Sequence, residues 1–409
     1  MRYALVLAVL GWAAAVQPSA AAPVLEKVVV LERHGVRSPT KPPADLAPYA
    51  AQPWAPWPVA PGLLTDHGQA AIARMGEALR ARYAALLPGR DCAARSRLYV
   101  WADNADQRTR VSGQTMAEAL APGCGVTAGF AKDGRDPLFH ADGGICRVDR
   151  KQAQAMLEAR LGPLLTAHRA AYDRARRTLA FVLNPSLRAA DCANDTSKKC
   201  TMFADDSRIE KGRLRGTLAD GATLSENLYL EYAEGMPHPG WGRLNAKNLG
   251  AIMVLHSLSS DLMRATPGLA ARNGTLIARQ IESVLTDVPA FPHQAAVPAD
   301  ARFVLLLGHD TNLANIAGML GIGWTLPGEP DVTAPDTALA FELWRGDDGA
   351  RFVRVRLYYQ TVEQLRHLTR LGRPPHRDLA LPGCTKDRCA LPEAIAALER
   401  HMAWDCLTP

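Results

Sequence analysis

The sequence contains no dense run of lysine or arginine, no paired CxxC motif and no HExxH segment. The first absence argues against a nucleic-acid-binding arm, although the 409-residue chain is mildly basic, with a formal net charge of +6. The other two absences argue against a zinc site. The composition is 48% hydrophobic and 22% charged, which is typical of a soluble globular protein. Disordered, collagenous and polytopic membrane chains are therefore excluded.

The N-terminus has the pattern of an export signal. Arg2 supplies a positive charge, residues 4–16 are apolar and uncharged, and small residues follow at 19–22. The apolar run is too short to span a bilayer, which takes about 20 residues, and it matches a signal peptide cleaved after Ala21. An uncleaved anchor is the alternative. Because no later stretch reaches spanning length, we expect a mature protein that is soluble, periplasmic or secreted, and free of membrane attachment once residues 1–21 are removed.

The cysteines agree with export. There are eight, and an even number behind a signal peptide indicates disulfide bonds formed in an oxidising compartment. Two pairs, Cys192 with Cys200 and Cys384 with Cys389, would each close a short polar loop. The sequence by itself leaves the full pairing open.

Apolar runs that stop at polar turns predict buried strands at 27–31, 98–101 and 303–307. Helical patterns follow the second and third of these runs, at 108–120 and up to about residue 320. A weaker alternation at 352–359 predicts a strand near the sheet edge. The stretch 146–265 differs, because its Ala/Leu/Arg segments predict helices with no strong strand between them.

We therefore predict an α/β fold with a mixed, mainly parallel sheet flanked by helices. Both ends of the mature chain, 22–145 and 266–409, would form this α/β core. Residues 146–265 would form an inserted, mostly α-helical domain.

The segment RHGVRSP at 33–39 carries the strongest chemical signal. It places His34 between Arg33 and Arg37 directly after an apolar strand, and ligands of open α/β sheets bind at the carboxyl ends of strands. Arginine forks match phosphate geometry, and imidazole can attack phosphorus as a nucleophile. Gly35 would let the backbone approach an anion or adopt a positive φ. In isolation the motif also fits a strand-end histidine between two surface arginines.

Two further segments strengthen the phosphate interpretation. His309 and Asp310 follow the apolar strand at 303–307, where a carboxyl group could protonate a leaving alkoxide and an imidazole could bind phosphoryl oxygens. The segment DQRTRVSG at 106–113 lies at a strand–helix transition, and helix N-termini bind anions. Either Arg108 or Arg110 could complete a cage of three arginines.

These segments, in this order, resemble the histidine acid phosphatases, branch two of the histidine phosphatase superfamily. RHGVRSP with a distant HD is the family signature. ADNADQRTRVSG is similar to its further phosphate-binding segment, GHDTNLANIAGML to its proton-donor segment, and EGMPHPGWGR to a segment of bacterial periplasmic phytases. The resemblance covers nearly the whole mature chain and implies a phosphoglycerate-mutase-like core without metal or other cofactor.

The resemblance also implies roles for individual residues. His34 would be the nucleophile and Asp310 the proton donor. The substrate's phosphate groups would be bound by Arg33, Arg37, Arg108, His309, Thr40, Lys41 and Glu226. For Glu226, an exposed helix charge is an equal alternative. ADNADQRTR is one residue longer than the phytase pattern, which leaves the place of Asp103 open. The implied disulfide bonds are Cys92–Cys124, Cys146–Cys406, Cys192–Cys200 and Cys384–Cys389.

The expected function is hydrolysis of a small phosphomonoester through a phosphohistidine, by a monomer without nucleic-acid partners. Phytate is the expected substrate, since Thr40, Lys41 and Thr311 resemble the phytase branch. Glucose 1-phosphate or a broader range of sugar phosphates is the alternative. A periplasmic phosphate-ester binding protein and a phosphomutase remain as further hypotheses. A carboxylate at Asp310 argues against the former, because it would repel a bound dianion unless protonated, and the export signal argues against the latter.

Overall fold

The computed structural model describes residues 22–288 and 295–407, so the predicted signal peptide lies outside the described residues. The strands are β1 (Val24–Arg33), β2 (Leu98–Ala102), β3 (Arg208–Glu210), β4 (Arg213–Arg215), β5 (Phe303–Gly308), β6 (Ala338–Arg345), β7 (Arg351–Tyr358), β8 (His376–Leu379) and β9 (Cys389–Ala390). The helices are α1 (Pro43–Leu46), α2 (Asp66–Arg82), α3 (Gln107–Leu120), α4 (Arg150–Ala167), α5 (Arg169–Leu183), α6 (Thr201–Ala204), α7 (Thr217–Ala233), α8 (Ala246–Arg264), α9 (Pro267–Thr286), α10 (Asp310–Leu320), α11 (Val362–His367) and α12 (Leu391–Glu399).

The central sheet has the strand order β2-β5-β1-β6-β7-β8, with β9 also paired to β7. The predicted α/β class with a mixed sheet and flanking helices is confirmed. The expectation of a mainly parallel sheet is wrong: β2, β5 and β1 run parallel, whereas the other pairings of the described sheet are antiparallel. Parallel neighbours need a long crossover, and the short turn between β6 and β7 makes a hairpin instead. β7 lies next to the edge strand β8, which agrees with the prediction of a strand near the sheet edge at 352–359.

The first parallel strands are apolar on both faces because helices cover both. Val29 and Leu31 of β1 pack into the cluster formed with α9, α10 and α12. Val28 and Val30 point to the opposite face and pack with α2 and α3. This alternation is the period of two expected of a strand, and double coverage explains why the sequence shows a continuous apolar run instead of alternation.

The helices α4 to α8 build a second apolar cluster beside the sheet, with Leu157, Tyr172, Leu228 and Ile252 fully buried in it. This matches the predicted helical character of 146–265, while the domain boundaries remain a prediction. The structure adds the β3–β4 hairpin, in which only the middle residue of each strand is buried. Strands of three residues are too short to give a periodic signal.

Four disulfide bonds pair the cysteines: Cys92–Cys124, Cys146–Cys406, Cys192–Cys200 and Cys384–Cys389. The second bond joins residues 260 positions apart and ties the start of the helical segment to the end of the chain. Within 22–288 and 295–407, no helix has both the length and the apolar character needed to cross a membrane.

Candidate active site

The carboxyl ends of the parallel strands bring the sequence motifs together. In the register, Arg33 of β1 lies opposite Gly308 of β5, and the amide of His34 donates to the Gly308 carbonyl over 3.0 Å. On the other side of β5, the amide of Asp103 donates to the Leu307 carbonyl over 2.9 Å. The residues that follow three adjacent strands therefore share one edge of the sheet. The rings of His34 and His309 meet there, with centroids 5.5 Å apart.

His34 is held as a neutral imidazole with a defined tautomer. Its Nδ1 lies 2.8 Å from the Gly35 carbonyl oxygen, which can only accept, so Nδ1 carries the hydrogen. Its Nε2 lies 3.0 Å from Nε of Arg108, which can only donate, so Nε2 holds a lone pair. Burial, followed by the positive charges of Arg108, His309 and Arg33, lowers the pKa of His34 well below its usual range. The ring therefore favours the neutral form, which keeps a lone pair on Nε2.

Gly35 is required by packing, not by the backbone conformation expected from the motif. A Cβ at this position would lie 2.8 Å from the Gly68 carbonyl oxygen and 2.9 Å from Cγ1 of Ile72. Both atoms belong to α2, whose first turn approaches the loop closely. The φ angle of Gly35 is not positive. Any side chain here would push the His34 loop away from α2.

Arg33 and Arg37 are joined through one carboxylate oxygen. Oε1 of Glu226 accepts from Nη2 of Arg37 over 3.0 Å and from Nη2 of Arg33 over 3.2 Å. Nη1 of Arg33 donates to Oδ2 of Asp331 over 2.9 Å and to the Thr333 carbonyl. Burial alone would lower the pKa of Arg33, but the nearby carboxylates raise it overall. Glu226 is thus no exposed helix charge, and its contacts are with the arginines that the sequence predicts to bind phosphate.

Arg108 is the arginine of its segment that reaches His34. It lies in the first turn of α3 and also donates to the Gly62 carbonyl over 3.2 Å and to Oδ2 of Asp106 over 2.6 Å. Arg110 donates to the Asn104 carbonyl instead. Of the two alternatives left open by the sequence, the structure brings Arg108 to the site.

Asp103 connects His309 to a histidine that sequence reasoning did not single out. Its Oδ2 lies 2.7 Å from Nε2 of His309 and 2.9 Å from Nε2 of His140. Asp103 is fully buried. Burial would raise the pKa of its carboxyl, but the hydrogen bonds from both histidines lower it. The ionised carboxylate therefore fixes the orientation of His309 beside His34.

Asp310 begins α10 and is ion-paired in the structure. Oδ2 contacts Nη1 of Arg264, the last residue of α8, and Oδ1 accepts from the Thr311 amide over 2.9 Å. Burial would raise the pKa of Asp310, but Arg264 and Arg33 together hold it well below its usual range. The sequence-based hypothesis required a carboxyl that is partly protonated, so the ion pair has to be overcome for acid catalysis.

Thr40 and Lys41 lie at the outer end of the RHGVRSP segment with exposed side chains. Lys41 borders a cavity of about 220 Å³ whose other walls include Trp54, Trp57 and several prolines. Both side chains are therefore open to solvent at this end of the segment.

Sequence reasoning missed Arg264, His256, Asp331 and the role of His140. Arg264 and His256 reach the site because α8 packs on α7 and α10, and a tertiary contact of this kind leaves no local signal. Asp331 and His140 lie in loops without a recognisable motif.

Two groups of side chains have the composition of metal ligands, Asp103 with His140 and His309, and Glu226 with His256 and Asp310. In the first group both ring nitrogens bond the carboxylate that they share. In the second group the carboxylates contact Arg33, Arg37 and Arg264. Protein partners therefore already satisfy most of the ligand atoms of both groups.

The chain is similar to known proteins. The model of the histidine phosphatase superfamily (branch 2) matches residues 24–358. The chain is 33% identical over 376 residues to the phytase AppA of Escherichia coli K12, covering 88% of this chain and 87% of that protein. It is 26% identical over 384 residues to the glucose-1-phosphatase of Providencia rettgeri, covering 89% and 88% of the two chains.

The structural comparison agrees. The solved structure of Hafnia alvei phytase in complex with tartrate has a TM-score of 0.85 and 33% sequence identity, covering 96% of this chain and 100% of that one. Residues 24–358, which the family model matches, contain every residue described at the sheet edge. The chain therefore belongs to branch 2 of the histidine phosphatase superfamily.

Proposed function

We propose that the protein is a metal-independent acid phosphatase that hydrolyses phosphomonoesters, phytate first among them, through a phosphohistidine at His34. One observation carries the proposal. The neutral, buried His34 directs the lone pair of Nε2 at the guanidinium of Arg108, which is where an anionic phosphoryl group would bind.

The first half-reaction transfers the phosphoryl group to the protein. Nε2 of His34 attacks phosphorus while the ester P–O bond breaks on the opposite side. Arg33, Arg37 and Arg108 offset the charge on the equatorial oxygens, which is the main work of phosphoryl transfer. Arg108 exchanges its bond to Nε2 for bonds to the phosphoryl oxygens. Asp310 gives its proton to the departing alkoxide.

The second half-reaction releases phosphate. Water attacks phosphorus, the P–N bond breaks, and the Asp310 carboxylate takes up a proton of that water. Nε2 of His34 regains its lone pair. Nδ1 keeps its hydrogen throughout and donates it to the Gly35 carbonyl oxygen. The same carboxyl thus acts first as acid and then as base.

Phytate as substrate is supported by the relatives and by charge. Two of the similar proteins are named phytases, and the Hafnia alvei phytase has been solved with myo-inositol hexakis sulphate, a polyanion of the same shape. Lys41 has an exposed side chain close in sequence to Arg37, where a second phosphate of the same substrate could reach it. Glucose 1-phosphate is the second candidate, because the Providencia rettgeri relative is named for that activity.

We further propose a periplasmic or secreted monomer. The four disulfide bonds fit an oxidising compartment outside the cytoplasm. The residues to which we assign roles in the reaction, among them His34, Arg108 and Asp310, all belong to this chain.

The test is phosphate release from phytate and from glucose 1-phosphate, measured side by side at acidic pH with EDTA present. Faster turnover of phytate supports the substrate assignment, and a preference for glucose 1-phosphate moves the protein to the sugar-phosphatase branch. Protein quenched in alkali during turnover should carry an alkali-stable, acid-labile phosphoryl group that His34→Ala lacks. Tight binding of both esters without turnover would favour a phosphate-ester binding protein instead.

A further inference from the structure

Helix α8 places a buried histidine beside the proton donor. His256 is 5% exposed, and its Nε2 is buried without a hydrogen-bond partner within the described part of the chain. The nearest carboxylate of the loop after α10, Oδ1 of Asp331, is 3.9 Å away, too far for a hydrogen bond. One ring nitrogen of His256 and oxygens of Glu226 and Asp310 all lie within 4.8 Å of one another.

A buried polar atom without a partner costs free energy, about 1–3 kcal/mol in general. A histidine in this position therefore calls for an explanation beyond packing. The gap of up to 4.8 Å to the Asp310 carboxylate can be closed by one bridging water or by a small side-chain rotation.

The reaction needs a proton at this place. Asp310 must be a carboxylic acid when the leaving oxygen departs, yet its contact with Arg264 favours the carboxylate. The proton that Asp310 takes from water in the second half-reaction therefore needs a neighbouring group that holds it until the next turnover.

We propose that His256 supplies this proton and takes it back, acting as a positioning residue and proton reservoir for Asp310. The inference rests on the proposed phosphatase function. In the first half-reaction the imidazolium N–H bond breaks and an O–H bond forms on Asp310, which then protonates the alkoxide. In the second, the proton that Asp310 takes from water returns to the His256 imidazole. The protons balance over the cycle without any further reactant.

The other charged groups around Asp310 are poor proton sources. Arg33 approaches from β1 and Arg264 from α8, and guanidinium groups keep their protons. Glu226 approaches from α7, and after opposing burial, the charges of Arg37, His256 and Arg33 lower its pKa to about 2, so it carries no proton at working pH. Asp331 is engaged by Arg33. Histidine is the side-chain type that exchanges protons in weak acid.

The experiment compares His256→Gln with wild type on two esters, β-glycerophosphate, whose alkoxide leaves poorly, and p-nitrophenyl phosphate, whose phenolate leaves readily. We expect kcat/KM for β-glycerophosphate to fall by roughly 100-fold, the lower end of what a positioned acid or base contributes. The loss with p-nitrophenyl phosphate should stay within about threefold, because that leaving group needs little protonation. His67→Gln is the matched control, since Nε2 of this half-buried histidine bonds the Leu365 carbonyl and not a carboxylate.

The double variant His256→Gln/Asp310→Asn separates a relay from a packing effect. Residues that act as one unit are not additive, so the double variant should match Asp310→Asn alone on β-glycerophosphate. Additive losses, or equal losses on both esters, would overturn the proposal. Should His256→Gln fail to fold, His256→Asn takes its place, together with the pH profiles of wild type on both esters. The relay predicts that kcat/KM falls as the pH rises, and that it falls more steeply for β-glycerophosphate than for p-nitrophenyl phosphate. Wild type inactive on both esters would refute the phosphatase function itself.

Discussion

Nε of Arg108 donates to Nε2 of His34 over 3.0 Å, so an arginine holds the lone pair that the reaction needs. The contact has two consequences. It fixes the tautomer, because Nε2 must accept and Nδ1 must donate. It also places a positive charge against the imidazole, which after burial is the largest cause of the lowered pKa of His34.

We therefore predict that Arg108→Gln lowers activity and also shifts its pH dependence. Loss of one phosphoryl ligand should reduce kcat/KM by about 100- to 1000-fold, as for other donors to a developing charge. Removing the positive charge makes the imidazolium easier to form, so the pKa of His34 rises. The acid limb of the kcat/KM profile should then move to higher pH, because His34 loses its lone pair sooner as the pH falls.

Arg110→Gln is the matched control for this variant. Arg110 lies two residues further along α3 and donates to the Asn104 carbonyl, without contact to His34. Its activity and acid limb should stay close to those of wild type. A shifted profile in Arg110→Gln, or an unshifted one in Arg108→Gln, would contradict the electrostatic explanation of the low pKa.

The sequence was sufficient to predict those parts of the site that follow buried strands. His34, His309 and Asp310 each come directly after an apolar run, and parallel strands in register bring such residues to one edge. The α/β class could be predicted for the same reason. The antiparallel half of the sheet could not be predicted. The direction of a strand depends on the length of the connection that precedes it, and the sequence does not mark where these connections begin and end.

Local sequence patterns did not reveal which residues contact the proposed proton donor Asp310. Arg264 and His256 belong to a helix that lies far from Asp310 in the sequence and reaches it only by packing. The ion pair with Arg264 changes the expected state of Asp310 from partly protonated to ionised. Charge states of buried groups depend on such neighbours, so they require the tertiary structure.

Asp103→Asn should weaken both the protein and the site. The variant loses charge-assisted hydrogen bonds to His309 and His140, and hydrogen bonds to charged groups contribute about 1.5–3 kcal/mol each. The pKa of Asp103 is lowered in the folded state, so its stabilising effect is complete above the unfolded pKa of about 4 and is lost as the pH falls towards the folded value.

Thermal unfolding between pH 2 and pH 7 measures this effect. The difference in Tm between wild type and Asp103→Asn should be largest above about pH 4 and should shrink in stronger acid. His140→Gln should lose part of the same stability while leaving the His309 bond to Asp103. A constant difference in Tm across the range would show that Asp103 acts by packing and not by its charge.

The two disulfide bonds at the extremes of loop length should differ in their effect on stability. Cys146–Cys406 closes a separation of 260 residues, and Cys384–Cys389 closes one of 5. In the loop-entropy treatment, these bonds contribute roughly 5 and 2 kcal/mol through the unfolded state. We expect Cys146→Ser/Cys406→Ser to unfold at clearly lower denaturant than Cys384→Ser/Cys389→Ser. Equal midpoints would show that native-state contacts, not loop closure, dominate.

Lys41→Met should change the preference among substrates without changing the chemical step. The Lys41 side chain is exposed at the outer end of the RHGVRSP segment, so it can reach only a phosphate that is not being transferred. An exposed ion pair contributes up to about 1 kcal/mol, which corresponds to a rise of roughly two- to fivefold in KM for phytate. kcat should stay unchanged, and KM for p-nitrophenyl phosphate, which has no second phosphate, should also stay unchanged. The increase for phytate should diminish at high salt, because salt screens exposed charges. Lys386→Met removes an exposed lysine within the loop closed by Cys384–Cys389 and controls for net charge alone. If both variants raise KM for phytate equally, the effect comes from overall charge and Lys41 does not form a subsite.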